Sequence, residues 1–208
     1  MDETASDEEL MQRYRDGDAA SFDVLYTRHR GPLFRYFLRL ARPAAVAEEL
    51  FQDVWMNLIR ARQQYQVRAK FTTWLYRMAH NRLIDHYRRT SSGARFAFPD
   101  DPDDDVAASV PDESFREPDN ELERRRLGAR LIEALAELPE EQREAFLLRE
   151  ESSMTLKEIA AATDVNIETA KSRVRYAIVK LRRCLTHTDA DTELDPTRSD
   201  HGSTGNRQ

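Results

Sequence analysis

Apolar side chains recur every three or four residues through most of the 208-residue chain, a period that predicts helices. Ser6-x-x-Glu9 reads as a capping box opening the first helix, and Gly17 ends it. Residues 19–40 place Phe22, Leu25, Tyr26, Leu33, Phe34, Phe37 and Leu38 at helical spacing, with Gly31-Pro32 expected to kink or interrupt the run. A third helix is predicted over about 44–62, with Leu50, Val54, Trp55 and Leu58 on one face. A polar loop, Gln63 to Ala69, leads to a fourth helix over about 71–89, apolar at Phe71, Trp74, Leu75, Met78, Leu83 and Ile84.

The periodicity then stops. From Thr90 to Asn120 no helical pattern is sustained, and four of the eight prolines fall in this stretch. It reads as a linker and not as a domain. Helical pattern resumes over 121–137, and Pro139 opens a second helix over 139–151, since the first turn tolerates proline. Thr155-x-x-Glu158 is another capping box, for a short helix over 156–162, and Asn166 reads as the N-cap of a last helix reaching about Leu185. The tail, 186–208, is polar and expected to be disordered. Nothing reads as strand. The fold class is therefore all-α: two small helical domains, 6–90 and 121–185, joined by an acidic flexible linker, 91–120.

Composition narrows the class. Hydrophobic residues make up 40% and charged residues 34%, polar for a globular chain but too rich in core formers for disorder throughout, and no run approaches the roughly 20 apolar residues that a membrane span needs. A single cysteine, Cys184, excludes an internal disulfide and a cysteine-based metal centre. The acidic start of the chain is unlike a secretory signal, so a cytoplasmic protein is expected. The net charge of −6 hides a segregation. Residues 96–121 hold ten acidic residues and one arginine; residues 60–95 hold nine cations against Asp85; residues 171–183 hold six cations and no acid. Two basic blocks around an acidic spacer suggest two contacts with a polyanion.

Three segments carry candidate chemistry. Residues 155–183 have the layout of a helix-turn-helix, with Ala170, Val174, Ala177, Ile178 and Leu181 facing inward and Lys171, Ser172, Arg173, Arg175 and Tyr176 facing out. Cations near the start of the second helix suit entry into the major groove, where they read guanine edges and neutralise phosphates. Residues 65–89 interleave Tyr65, Phe71, Trp74, Tyr76 and Tyr87 with Arg68, Lys70, Arg77, Arg82, Arg88 and Arg89. That mixture suits single-stranded nucleic acid, although Trp74 and Leu75 read as core; the loop 65–71 is the better place to hold an extruded base. Glu48, Glu49, Gln52, Asp53 and Asn57 share the polar face of the third helix, and Glu49 with Asp53 puts like charges at i,i+4. Such a face either keeps the helix soluble or docks a basic helical partner. The five histidines show no metal-ligand spacing, and there is no nucleophile, phosphate loop or carboxylate dyad. No enzyme, metal, cofactor or small-molecule substrate is expected.

With these pieces in place the chain resembles the extracytoplasmic-function class of bacterial sigma factors, in the sigma-70 family. AEELFQDVWMNLI, FTTWLYRMAHNRLIDHYRR and LPEEQREAFLLRE followed by TLKEIAAATDVNIETAKSRVRYAIVKLR carry the resemblance. It implies an alternative sigma factor that brings core RNA polymerase to promoters. Region 2 would dock on the β′ clamp helices through Glu48, Glu49, Gln52, Asp53 and Asn57, then melt and read the −10 element as single strand. Gln66, Arg68, Lys70, Phe71, Asn81, Arg82, Asp85 and Arg88 match its DNA-facing positions. Region 4 would contact the β flap and read the −35 element as duplex through Lys171, Ser172, Arg173, Arg175 and Tyr176. Glu168 stands near the start of that helix, where the family often has glycine. An anti-sigma factor is an implied partner. A stand-alone helix-turn-helix regulator is the alternative; it explains 155–183 but leaves the aromatic-basic segment and the acidic face without a use.

Overall fold

The computed structural model describes residues 4–90 and 121–191, and among these every regular element is helical. Helix α1 (Asp7–Arg15) opens with both bonds of the expected capping box: Ser6 Oγ accepts from the Glu9 amide, and Glu9 Oε2 accepts from the Ser6 amide at 3.0 Å. Gly17 follows at φ +112°, a conformation that side-chain-bearing residues rarely adopt. It turns the chain into α2 (Ala19–Leu40), capped by Asp18. Helix α3 (Ala44–Ala61), a single 3₁₀ turn (Arg62–Gln64), a loop and α4 (Phe71–Thr90) complete the N-terminal half. Its core contains Met11, Leu25, Leu33, Phe37, Leu50, Val54, Trp55, Leu58, Phe71 and Leu75.

One expectation is corrected here. Helix α2 runs through Gly31-Pro32 without interruption. Gly31 has no Cβ to clash with the proline ring, and buried residues on both sides, Leu25 before it and Leu33, Tyr36 and Phe37 after it, hold the two stretches to one core.

The C-terminal half comprises α5 (Glu121–Ala136), α6 (Glu140–Glu150), α7 (Leu156–Thr163) and α8 (Ile167–Asp191). The Thr155–Glu158 capping box opens α7. Asp164 ends it in the left-handed region at φ 55°, where a short polar side chain is tolerated. Asn166 Oδ1 then accepts from the Thr169 amide at 2.7 Å and opens α8. Ala170, Val174, Ala177 and Leu181 are buried as expected, and Ile178 is half-buried. The last helix continues past Leu185 to Asp191, so residues 186–191 are helical and not part of a disordered tail. The proposed linker, 91–120, and the rest of the tail, 192–208, lie outside the described residues.

The two halves also share an interface. Helix α7 packs on α4, and α6 and α5 pack on α2. Tyr36, Tyr76 and His80, on the N-terminal side of this seam, are all buried.

Candidate nucleic-acid and polymerase interfaces

The acidic-polar face of α3 is exposed at Glu48, Glu49 and Gln52 and half-buried at Asp53 and Asn57. Asp53 has a second role. Its Oδ2 accepts from Arg82 Nη2 of α4 at 2.8 Å, so a cation from the neighbouring helix offsets the like charges at Glu49 and Asp53. The structure thus joins one residue of the candidate docking face to one of the candidate −10 face.

That second face is built from a loop and a helix. Gln66, Arg68 and Lys70 are exposed, and Val67 between them is 50% exposed, an apolar side chain offered to solvent in a cationic loop. Tyr65 anchors the loop from below: it is buried, its hydroxyl makes no hydrogen bond, and burial followed by the charges of Glu8 and Asp7 pushes the phenol up to about 12. Asn81, Asp85 and Arg88 are exposed along one side of α4, as DNA-facing positions must be, while Arg82 is half-buried by its pair with Asp53. Phe71 departs from the expectation. Its ring is fully buried against His29, Tyr65 and Trp74, so it supports the loop from the core and does not present itself to a base. Trp74 is half-buried in the same aromatic group, its ring centroid 5.0 Å from that of Tyr65.

On α8, Lys171 and Arg175 are exposed, and Ser172, Arg173 and Tyr176 are half-buried. Ser172 Oγ donates to the Thr169 carbonyl. Lys171 Nζ lies 3.5 Å from Glu168 Oε2, so the carboxylate near the start of the helix engages a neighbouring cation. Arg175 stacks over the Tyr176 ring at 5.1 Å and bonds its hydroxyl, which stiffens a side chain that could otherwise sweep a wide arc. A cleft of about 450 Å³ opens beside this face between Gln142 of α6 and Arg175, Tyr176, Lys180 and Arg183 of α8.

The seam between the halves is electrostatically one-sided. Arg35, Arg39, Lys70 and Arg77 come from the N-terminal half; Glu151, Glu158 and Asp164 come from the C-terminal half. Arg35 Nε meets Glu151 Oε2 at 2.7 Å, Lys70 Nζ meets Glu158 Oε1 at 2.9 Å, and Arg77 reaches Asp164 at 3.9 Å. The hydrogen bond that Lys70 donates to Glu158 raises the ammonium above its ordinary range, and against partial burial the Thr155 amide and then Lys70 hold the Glu158 carboxyl low. At the centre, Glu144 Oε1 accepts from the Tyr36 hydroxyl at 2.6 Å and lies 2.8 Å from His80 Nδ1, all three groups being buried. Burial and the Glu144 carboxylate drive the Tyr36 phenol well above its ordinary value. Sequence reading missed this cluster, because its members stand 64 and 108 residues apart. The one available signal is the alternation of basic positions on α2 and α4 with acidic positions on α6 and α7.

Among the described residues no group of histidine, cysteine and carboxylate side chains could hold a metal ion, and no helix is long and apolar enough to cross a membrane. The sequence matches two family models in order, sigma-70 region 2 over residues 25–93 and sigma-70 region 4 over 128–181. It is 30% identical to the RNA polymerase sigma factor CarQ of Myxococcus xanthus, over 90% of this chain and the whole of that one. It is 28% identical to the RNA polymerase sigma-H factor of Pseudomonas aeruginosa, over 81% of this chain and 88% of that one. The fold is similar to that of CnrH in its complex with the cytosolic domain of CnrY, with a TM-score of 0.62 and 22% identity over 90% of this chain and 99% of that one. It is also similar to the sigma factor RpoE of Bartonella quintana, solved with the anti-sigma factor NepR, with a TM-score of 0.57 and 21% identity over 79% and 96% of the two chains.

Proposed function

This chain belongs to the extracytoplasmic-function class of the sigma-70 family and is an RNA polymerase sigma factor; from that premise we propose how its two halves divide promoter recognition. Sigma factors are transcription initiation factors and not enzymes, and in this reading the polymerase performs all the chemistry.

Residues 6–90 act as region 2. Glu48, Glu49 and Gln52 offer the β′ clamp helices a row of acceptors at helical spacing, with Asp53 and Asn57 at its edge. The melted −10 strand follows α4 along Asn81, Asp85 and Arg88 and delivers one extruded base to the loop at Gln66, Arg68 and Lys70. The Asp53–Arg82 pair fixes the docking helix against the DNA-facing helix. Residues 121–185 act as region 4. Lys171, Ser172, Arg173, Arg175 and Tyr176 enter the major groove at −35, Lys171 and Arg175 from exposed positions. The acidic segment 91–120 tethers the two. The site of action is the cytoplasm, and an anti-sigma factor is the regulatory partner, a reading supported by the similar fold of Bartonella quintana RpoE, solved in complex with the anti-sigma factor NepR.

The observation that carries this reading is the coexistence, in one chain, of an exposed acidic docking helix, an exposed cationic loop beside a DNA-facing helix, and a helix-turn-helix. A stand-alone regulator needs only the third. The test is run-off transcription with core polymerase on genomic fragments, with and without the protein. Discrete transcripts that depend on the protein support the reading. Specific binding to duplex DNA by the protein alone, without new transcripts, overturns it in favour of a helix-turn-helix regulator.

A further inference from the structure

The family match begins at residue 25, so α1 lies ahead of it. Yet α1 holds the −10 loop at both ends. Gln63 Nε2, just before the loop, donates to the Arg15 carbonyl at the C-terminal end of α1, at 2.9 Å. At the other end Glu8 Oε1 accepts from the Phe71 amide at 2.6 Å. Phe71 is the first residue of α4, and the first amides of a helix need acceptors from outside it. Its neighbour Lys70 has no side-chain acceptor to offer. Glu8 therefore caps α4 from another helix.

The strut is itself fixed. Asp7 accepts from Arg28 Nη1 at 2.9 Å and lies 2.6 Å from His29 Nε2, and the same Arg28 nitrogen donates to the Ala5 carbonyl. The His29 ring packs on Phe71 with centroids 5.2 Å apart. Burial works against the Asp7 charge, but His29 and Arg28 outweigh it and hold the carboxyl below its ordinary range. Between the two anchors, residues 66–70 are exposed, with one backbone bond of their own, from the Arg68 amide to the Gln66 carbonyl. Apart from the Lys70 contact with Glu158 of α7, a loop so thinly bonded within itself takes its shape from its end points.

We propose that Glu8 is a positioning residue for −10 recognition: by capping α4 at Phe71 it sets the loop in the geometry that receives the extruded base. This rests on the reading of that loop given above. A purely structural cap would lower stability and slow initiation equally at every promoter. A positioning residue changes which base is preferred.

The experiment uses the full chain with core polymerase, on promoters carrying each single base change in the −10 and −35 elements. Glu8→Ala is expected to flatten discrimination at the −10 base affected by Gln66→Ala and Arg68→Ala, by about tenfold, and to leave −35 discrimination intact. Glu8→Gln, whose amide oxygen can accept the same bond, restores most of it. Thermal unfolding of each variant is recorded alongside. Should Glu8→Ala not fold, Glu8→Asp, still charged but one methylene shorter, takes its place in the same panel. Equal slowing on all promoters, or wild-type selectivity in the variant, overturns the proposal. If the Gln66 and Arg68 variants themselves keep full −10 selectivity, the reading of the loop has failed and Glu8 has nothing to position; that result differs from failure of Glu8 alone.

Discussion

Replacing Glu144 by alanine tests the seam between the halves. The wild-type carboxylate is 5% exposed and serves the Tyr36 hydroxyl and the His80 ring at 2.6 and 2.8 Å. Both groups are buried, Tyr36 completely. With alanine there, two polar groups remain inside the seam without an acceptor, at about 1–2 kcal/mol each, or about 2–4 kcal/mol together. Separating the halves hydrates both groups, so the penalty falls on the closed arrangement alone. The ratio of closed to open chain should fall by roughly thirtyfold to several hundredfold. The lone Cys184 gives one labelling position on α8, and a cysteine introduced at exposed Gln64 gives a second on the other half. Energy transfer between the two dyes should drop in Glu144→Ala. Tyr36→Phe, which removes one donor and leaves His80 its acceptor, should drop it less. Unchanged transfer in Glu144→Ala, with each half still folded by circular dichroism, refutes the argument.

Asp7→Asn should weaken the attachment of α1 near neutral pH and flatten the acid limb of a stability curve. The folded Asp7 carboxyl lies below its ordinary 3.8, so its contribution is present above that value and disappears as the pH falls through the folded one; an unchanged acid limb counts against the clasp with Arg28 and His29. Trp74→Ala should cost about 2–4 kcal/mol in denaturant unfolding of the N-terminal half, because the ring is packed with Tyr65 and Phe71; a stable variant deficient only in melting would reassign Trp74 to DNA. Arg173→Ala should cost about 1–3 kcal/mol at one −35 base pair if the guanidinium reads a base. Equal loss across all −35 sequences in a binding titration would make it a phosphate contact.

Local chemistry was legible in the sequence. Both capping boxes, the helix-turn-helix break and the apolar faces of α3 and α8 depend on residues within a few positions of one another, and they form as expected. What depends on distant partners was not legible. Pro32 announces a break that burial on either side overrides. Phe71 sits in an aromatic-basic stretch that suggests DNA, but His29 and Tyr65 claim its ring for the core. Tyr76 and His80 fall outside the apolar stripe of α4 and are nonetheless buried, because α7 packs on a second face and Glu144 of α6 reaches His80 there. The cap on α4 comes from residue 8, which no window around the loop contains.

The pairing of Lys70 with Glu158 and of Arg77 with Asp164 links two binding events that share no atoms. On the proposed reading, with promoter elements about 20 base pairs or roughly 70 Å apart at about 3.4 Å per pair, α7 has to leave α4 for both to be read. A ligand that engages only the separated form binds with its intrinsic affinity scaled by the fraction of chain already separated. If polymerase and promoter both need the separated form, whichever arrives first removes that factor for the other. The two then bind cooperatively by thermodynamic linkage, and the size of the effect is set by the stability of a seam of which the proposed promoter contacts include only Lys70.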